Sequence, residues 1–356
     1  MSGSRIERTA RLADVAKAAG VSQGTVSNVF SRPELVRQEV REHVKAIAAS
    51  IGYRGPDPRG RMLRAGKVNA IGVATSEPLS YFFDDPFARE LMRGISEACD
   101  AEGSGLALVS AQNNERLAWN IESALVDGFV LLCLEGGERL VELTRQRQLP
   151  FVALALGRPD PSVSAIGVDD FIGAQRAARH LCELGHRRFG VLALEFDDGH
   201  VGPVTAAQIA VARYQTSKLR AEGYFSVLGE YGIDTSMVPV WETQSTDAST
   251  SAGLEALFAA QPYPTALLCM SDRIALVALK WLAEHRLSVP RDVSVIGFDG
   301  VPEAARSEPP LTTMAQPILE MGRRAVRAIL QPTAEPERQV LETTLDVRGS
   351  TAAPLA

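Results

Sequence analysis

The sequence predicts two folds in one chain: a small all-α head of helix-turn-helix type, followed by an α/β body of two parallel-sheet lobes. Three observations carry this. Three short helical patterns follow one another within residues 1–55. From Val68 onward, apolar strand-like runs alternate with amphipathic segments in two consecutive series. The charge divides along the same line: residues 1–66 hold 12 Lys/Arg against 6 Asp/Glu, and the rest hold 25 against 37. A basic head on an acidic body is the pattern expected when only the head meets a polyanion.

The first helical pattern is Leu12-Ala-Asp-Val-Ala-Lys-Ala-Ala, stopped by Gly20, which lacks the Cβ that penalises a left-handed helix end. A second starts after Ser22, whose hydroxyl suits it to cap the free N–H groups of the next turn. Val15, Val21, Val26 and Val29 supply contacts between the two, and Val40, Val44, Ile47 and Ile51 give a third helix its apolar stripe. Helix, Gly-containing turn, helix and supporting helix form a helix-turn-helix, whose second helix enters the major groove N-terminus first. Gln23, Gly24 and Asn28 then lie toward base edges. Gln and Asn can pair bidentately with adenine. Ser22, Thr25 and Ser27 suit phosphate oxygens, which fix position without reading sequence.

The run Asp14-Val-Ala-Lys-Ala-Ala-Gly-Val-Ser-Gln-Gly-Thr-Val-Ser-Asn-Val resembles the DVAxxAGVSxxTVSxV signature of the lactose/galactose repressor family. The resemblance continues through Arg41, Val44 and Ile51-Gly-Tyr53 to about residue 348. It implies that Gln23, Gly24 and Asn28 occupy the base-reading positions. It also implies a hinge over 56–67, with Leu63 wedging into the minor groove and Arg59, Arg61 and Arg64 near phosphates. Three departures stand out. Gly24 offers no side chain for readout. Arg11 replaces the usual capping Thr. Pro58 and Gly60 stand where the family favours Ala, and one extra residue follows Tyr53. A helical Gly costs about 1 kcal/mol relative to Ala, so the hinge is expected to fold only on DNA.

In the body, strands are expected at 69–75, 106–109, 128–132, 151–154, 189–194, 238–241, 266–270 and 293–298, with helices between them. A restart near 165–170 suggests the second lobe. The expected partition is 68–166 with 294–322 for one lobe and 167–293 with 323–348 for the other, leaving 349–356 as a tail. Ligands of such folds bind at the carboxyl ends of strands. Matching stretches such as Val126-Asp-Gly-Phe129 and Val289-Pro-Arg-Asp-Val-Ser-Val-Ile-Gly-Phe-Asp299 resemble the family's effector domain, a type I periplasmic-binding-protein fold. The resemblance places Phe87, Arg220, Asp272 and Asp299 at or beside effector-touching positions, and implies a sugar more readily than a nucleobase. Read from their own neighbours, Asp272 equally suits a helix cap after Ser271, Asp299 a turn cap, and Arg220 a surface ion pair. The chain has Phe87-Ala88 where relatives carry Phe-Phe, and Tyr81, Phe82 and Phe83 lie close enough in sequence to replace the missing ring.

The body has no GxGxxG after its first strand and no P-loop, GxSxG or metal-type His cluster, so neither a cofactor nor an enzyme is expected. The cysteines are scattered, and Cys133 and Cys269 read as core thiols. The polar N-terminus has no signal-like apolar run, no segment is long enough to span a bilayer, and the chain is expected in the cytoplasm. That argues against a secreted solute-binding protein. The expected protein is a ligand-responsive regulator binding double-stranded, palindromic operator DNA as a homodimer. Residues after 348 form no heptad helix that would make a tetramer.

Overall fold

A computed structural model describes residues 10–55, 67–111, 114–132, 138–155 and 160–355. The hinge residues Pro58, Arg59, Gly60, Arg61, Leu63 and Arg64, and Cys133, lie outside the described residues. The chain divides into two compact units, Met1–Val68 and Asn69–Ala356. Among the described residues, no helix is long and apolar enough to cross a membrane.

The head contains α1 (Leu12–Ala19), α2 (Gln23–Ser31) and α3 (Gln38–Ser50). Gly20 ends α1 at φ +66°. Arg11 supplies no side-chain cap, but Asp14 accepts the Arg11 backbone N–H at 2.8 Å, so half of a capping box survives. Val15, Val26, Val29 and Val44 are buried, with Val21, Val40 and Ile47 packed at the edge. Ile51 is an exception to the expected stripe. It lies beyond the last turn of α3 and is exposed, while Tyr53 is buried in its place with its ring edge-on to Phe30 at 5.6 Å.

The body holds two sheets. The first lobe contains β1 (Ala70–Thr75), α4 (Tyr81–Asp84), α5 (Pro86–Ala101), β2 (Gly105–Ser110), α6 (Asn114–Ser123), β3 (Gly128–Leu132), α7 (Glu138–Gln146), β4 (Phe151–Leu154) and β5 (Ala165–Val168). The chain later returns to it with α13 (Ile318–Leu330) and β12 (Arg338–Leu341). The strand order is β12-β5-β4-β3-β1-β2, all parallel. The second lobe contains α8 (Asp170–Glu183), β6 (Phe189–Ala193), β7 (Gly202–Pro203), α9 (Ala206–Ala210), α10 (Gln215–Glu230), β8 (Val240–Glu242), α11 (Asp247–Leu257), β9 (Ala266–Cys269) and α12 (Asp272–Glu284). It is completed by β10 (Ser294–Asp299), β11 (Thr312–Ala315) and β13 (Thr344–Asp346), in the order β13-β11-β10-β9-β6-β8-β7. Only β7 and β13, at the two edges, are antiparallel to their neighbours. Central strands such as β3 and β6 are buried at every residue, as parallel strands covered on both faces must be.

This topology corrects the expected partition of the C-terminal segments. Strands 294–299 and 312–315 belong to the second lobe, because β10 pairs with β9 and extends that βαβ series. Residues 318–341 belong to the first, where α13 packs against α5. β5, read as the start of the second lobe, is also in the first sheet. The chain therefore crosses between lobes three times, near Asp169, Gln316 and Glu342. The expected single helix over 206–230 is two, α9 and α10.

Glycines set the closest helix contacts. Gly94 of α5 faces Leu319 of α13, and a Cβ there would lie 2.9 Å from Leu319 Cα and nearer still to its carbonyl oxygen. Across the same contact, a Cβ at Gly322 would lie 2.7 Å from the Leu91 carbonyl oxygen. Helix propensity favours Gly→Ala by about 1 kcal/mol, but backbone atoms cannot yield as a side-chain tip does. Gly94→Ala is therefore expected to destabilise the body by about 1–3 kcal/mol. Urea unfolding checks this; a midpoint at or above that of the parent would contradict it.

Residues 349–355 dock along the second sheet rather than forming a loose tail. Val295 donates its N–H to the Ser350 carbonyl at 2.9 Å, the Ser350 hydroxyl donates to the Val295 carbonyl at 2.6 Å, and Thr312 N–H donates to the Ser350 hydroxyl at 2.8 Å. Buried His186 reaches the Ala352 carbonyl at 2.9 Å through Nε2. Burial lowers the His186 pKa, which keeps the ring neutral in this network.

Candidate nucleic-acid interface and effector cleft

On α2, Val26 and Val29 face the core and the opposite side is polar. Gln23, Gly24, Ser27 and Asn28 share that side through helical spacing. Gln23 and Gly24 are exposed, and Ser27 and Asn28 are half-buried. Ser22 caps the helix, accepting the Thr25 N–H at 3.0 Å, and its hydroxyl lies 2.9 Å from that of Thr25. Ser31 donates to the Ser27 carbonyl at 2.7 Å, which closes the last turn. A Cβ at Gly24 would meet only Ser22 Oγ, at 3.6 Å. Neither packing nor backbone conformation therefore requires glycine there, and its absent side chain leaves room on that face.

The body encloses a cleft of about 240 Å³ at the carboxyl ends of strands from both sheets. Glu77 follows β1, Ala155 follows β4, Asp170 follows β5, Gln244 follows β8, Asp299 ends β10 and Gln316 follows β11. Three of the four expected effector residues, Phe87, Arg220 and Asp299, line it. Phe87 sits in the first turn of α5, directly after Asp85 caps that helix by accepting the Ala88 N–H at 3.0 Å. Of the aromatic substitutes, Tyr81 lines the cleft, Phe82 is buried in the lobe and Phe83 is exposed.

Arg220 is the electrostatic centre of the second wall. Its Nε donates to Asp170 at 2.8 Å, Nη1 donates to the Met270 carbonyl, and Nη1 lies 3.8 Å from Asp299. The guanidinium carbon stands 3.7 Å from the centroid of the Phe298 ring. Two of its three nitrogens are thus committed to protein acceptors, so it orders the wall as much as it offers a fork to a ligand. Asp299 has φ +126°, a region that side chains other than glycine rarely adopt, and Gln316 Nε2 donates to it at 2.8 Å. Burial drives its carboxyl well above the usual range, against the opposing pull of Arg220. Burial likewise raises Glu77, with Asp85 adding to the shift, and raises Asp170 despite Arg220.

Asp272 is corrected. It is fully buried behind the cleft and does not line it. Its carboxylate accepts the N–H groups of Gly300 and Val301 at 2.7 and 2.9 Å and the Thr313 hydroxyl at 2.6 Å. The helix cap is Ser271, which accepts the Ile274 N–H at 3.2 Å. Glu77, Asp85, Asp170, Tyr214, Arg273 and Gln316 line the cleft without having been singled out from the sequence as binding residues. Their shared signal was position: several directly follow strands or begin helices, where this kind of fold binds ligands.

Two family models match the chain: bacterial regulatory proteins of the lacI family over residues 11–55, and the periplasmic binding protein-like domain over 178–351. An HTH-type transcriptional regulator of Mycobacterium tuberculosis is 38% identical over 357 residues, 98% of each chain. A solved transcriptional regulator CelR–cellobiose complex is similar at TM-score 0.69 and 30% identity, covering 96% of this chain and 99% of that one. The lac repressor dimer bound to operator and the anti-inducer ONPF is similar at TM-score 0.76 and 25% identity, covering 97% and 100%. The lacI-type head, the periplasmic-binding-type body and the near full-length identity to a named regulator make this chain a DNA-binding transcriptional regulator of the LacI family, not an enzyme.

Proposed function

We propose that this regulator is a cytoplasmic repressor that binds a palindromic operator as a homodimer and is switched by a sugar held between its lobes. The observation that carries the reading is the cleft, walled by strand ends of both sheets and spanned by three crossings of the chain. A ligand that prefers one arrangement of the lobes shifts the equilibrium between arrangements by its differential affinity, typically about 1–3 kcal/mol. The similar structures support both halves: one is a complex with cellobiose, and the other is a dimer on operator DNA. Gln23 and Asn28 read bases, Ser22, Thr25 and Ser27 meet phosphates, and Arg59, Arg61 and Leu63 act at the hinge. Phe87 covers an apolar sugar face, while Asp299 and Arg220 address its hydroxyls.

The test pairs two substitutions. Asn28→Ala is expected to narrow the gap between operator and random duplex, by about 1–3 kcal/mol at one base position. Arg61→Ala is expected to weaken both equally and to lower the salt slope by about one. Binding isotherms on both duplexes at several salt concentrations decide it. Equal losses on the two duplexes for Asn28→Ala would remove that residue from base readout. Failure of the parent protein to select any duplex from a random pool would end the repressor reading.

A further inference from the structure

Acidic residues outnumber basic ones on the cleft wall. Five acidic residues line it: Glu77, Asp85, Asp170, Glu195 and Asp299. Three guanidinium groups oppose them: Arg220, Arg273 and Arg338. Two of those cations are already engaged. Arg220 pairs with Asp170 at 2.8 Å and lies 3.8 Å from Asp299, and Arg273 lies 3.5 Å from Asp85.

The helix ends tell the same story independently. A helix N-terminus is the ordinary cradle for a phosphate or carboxylate. Here those places are filled by the protein's own side chains. Asp85 takes the Ala88 N–H of α5 at 3.0 Å, and Asp169 takes the Ile172 N–H of α8 at 2.9 Å. On α12 the cap is Ser271, with buried Asp272 in the first turn. Neither α5 nor α8 offers its capped N–H to an anion, and the capping carboxylates repel one.

We infer that the effector carries no negative charge: it is a compound rich in hydroxyl or amine donors that hydrogen-bonds to Glu77 and Asp299, and phosphate esters and carboxylates are excluded. This rests on the reading of the cleft as the effector site. Hydroxyl and ammonium groups share the needed chemistry, since both donate to carboxylate oxygens. A phosphate ester would instead bring a charge of about −1.5 to −2 into a wall already in excess of carboxylates, where the lower dielectric magnifies repulsion.

The experiment is a thermal-shift screen of the full chain with matched sets that vary charge on one scaffold. Glucose, glucosamine, glucose 6-phosphate and glucuronate form one set. Wider sets of unphosphorylated sugars and cyclitols are paired with their amino analogues and phosphate esters. Stabilisation is expected only from neutral or amine-bearing members, and the two arms tell hydroxyl from ammonium recognition. For the best ligand, Glu77→Gln is expected to weaken affinity about tenfold or more, because a charged acceptor is replaced by a neutral amide whose NH2 cannot accept. Unchanged affinity in Glu77→Gln would remove that contact. A stabilising phosphate ester or uronate overturns the inference and leaves the effector reading standing. Silence from every set, in protein that still retains an operator duplex, overturns the effector reading itself.

Discussion

Arg220→Ala is expected to remove about 3–5 kcal/mol from the unfolding free energy of the body and to abolish ligand binding in the cleft. The Arg220 side chain is only 5% exposed, and the Asp170 and Asp299 carboxylates beside it are 15% and 9% exposed. Truncation strips both carboxylates of their cation at once and leaves the face of Phe298 uncovered. Two uncompensated buried anions cost more than the lost contact itself, so they are expected to take up protons and the wall to rearrange. Arg220→Lys should restore only part of the stability. Its ammonium keeps the charge but cannot reach Asp170 and the Met270 carbonyl together while lying flat on the ring. Urea unfolding followed by circular dichroism measures the effect. A loss under about 1 kcal/mol for the alanine variant would show that the desolvation cost of the buried pairs offsets their attraction.

The second large effect is at Asp272. Its alanine variant is expected to lose about 3–5 kcal/mol, since the buried donors of Val301 and Thr313 and the half-buried N–H of Gly300 are orphaned together. The same change frees the backbone directly after Asp299, so affinity for the proposed effector should fall although Asp272 does not line the cleft. The isosteric Asp272→Asn isolates the charge. Burial lifts this carboxyl from 3.8 to about 7, outweighing the donors that lower it. The folded protein therefore holds a proton that the unfolded chain has already released across that interval. Stability from this group is full below the unfolded value and is lost as pH rises toward the folded one. Between about pH 4 and 7, the parent should lose stability relative to Asp272→Asn with a slope of up to about 1.4 kcal/mol per pH unit. Asp299 is shifted in the same direction, and the Asp272 charge is one of the causes, so the difference between the two proteins reports the pair rather than Asp272 alone. Parallel pH profiles for the two proteins would refute the account.

What could be read in advance follows the range of the interaction concerned. Gly20 and Ser22 act within one turn of themselves, and the boundaries they mark are where the structure has them. Ile51 keeps the periodicity of α3 but falls past its end, where Gly52 at φ +71° has already turned the chain. The partition of the body failed for a different reason. The run Ser294-Val-Ile-Gly-Phe-Asp299 reads the same whichever sheet it joins, and only its pairing with Ala266–Leu268 decides. Gly322 means nothing locally until Gly94 is found against it. Ser271-Asp272 shows the limit for sites. A cap, a ligand contact and a buried acceptor all call for the same two residues, and only their hydrogen-bond partners in the fold separate them. Glu77 and Asp170 were within reach, because each directly follows a strand whose end faces the cleft.

The docked C-terminal segment sets the order in which the molecule can be made. The head has its own apolar centre and needs nothing after about residue 55. The second lobe closes its sheet only with Thr344–Asp346 and the hydrogen bonds of Ser350 and Ala352. At roughly 5–20 residues per second, a ribosome takes on the order of 15–60 s to travel from one to the other. During that time a nascent polypeptide carries a finished helix-turn-helix and an unfinished second lobe. A message cut short before Thr344 would yield a DNA-seeking head on a body without its last strand.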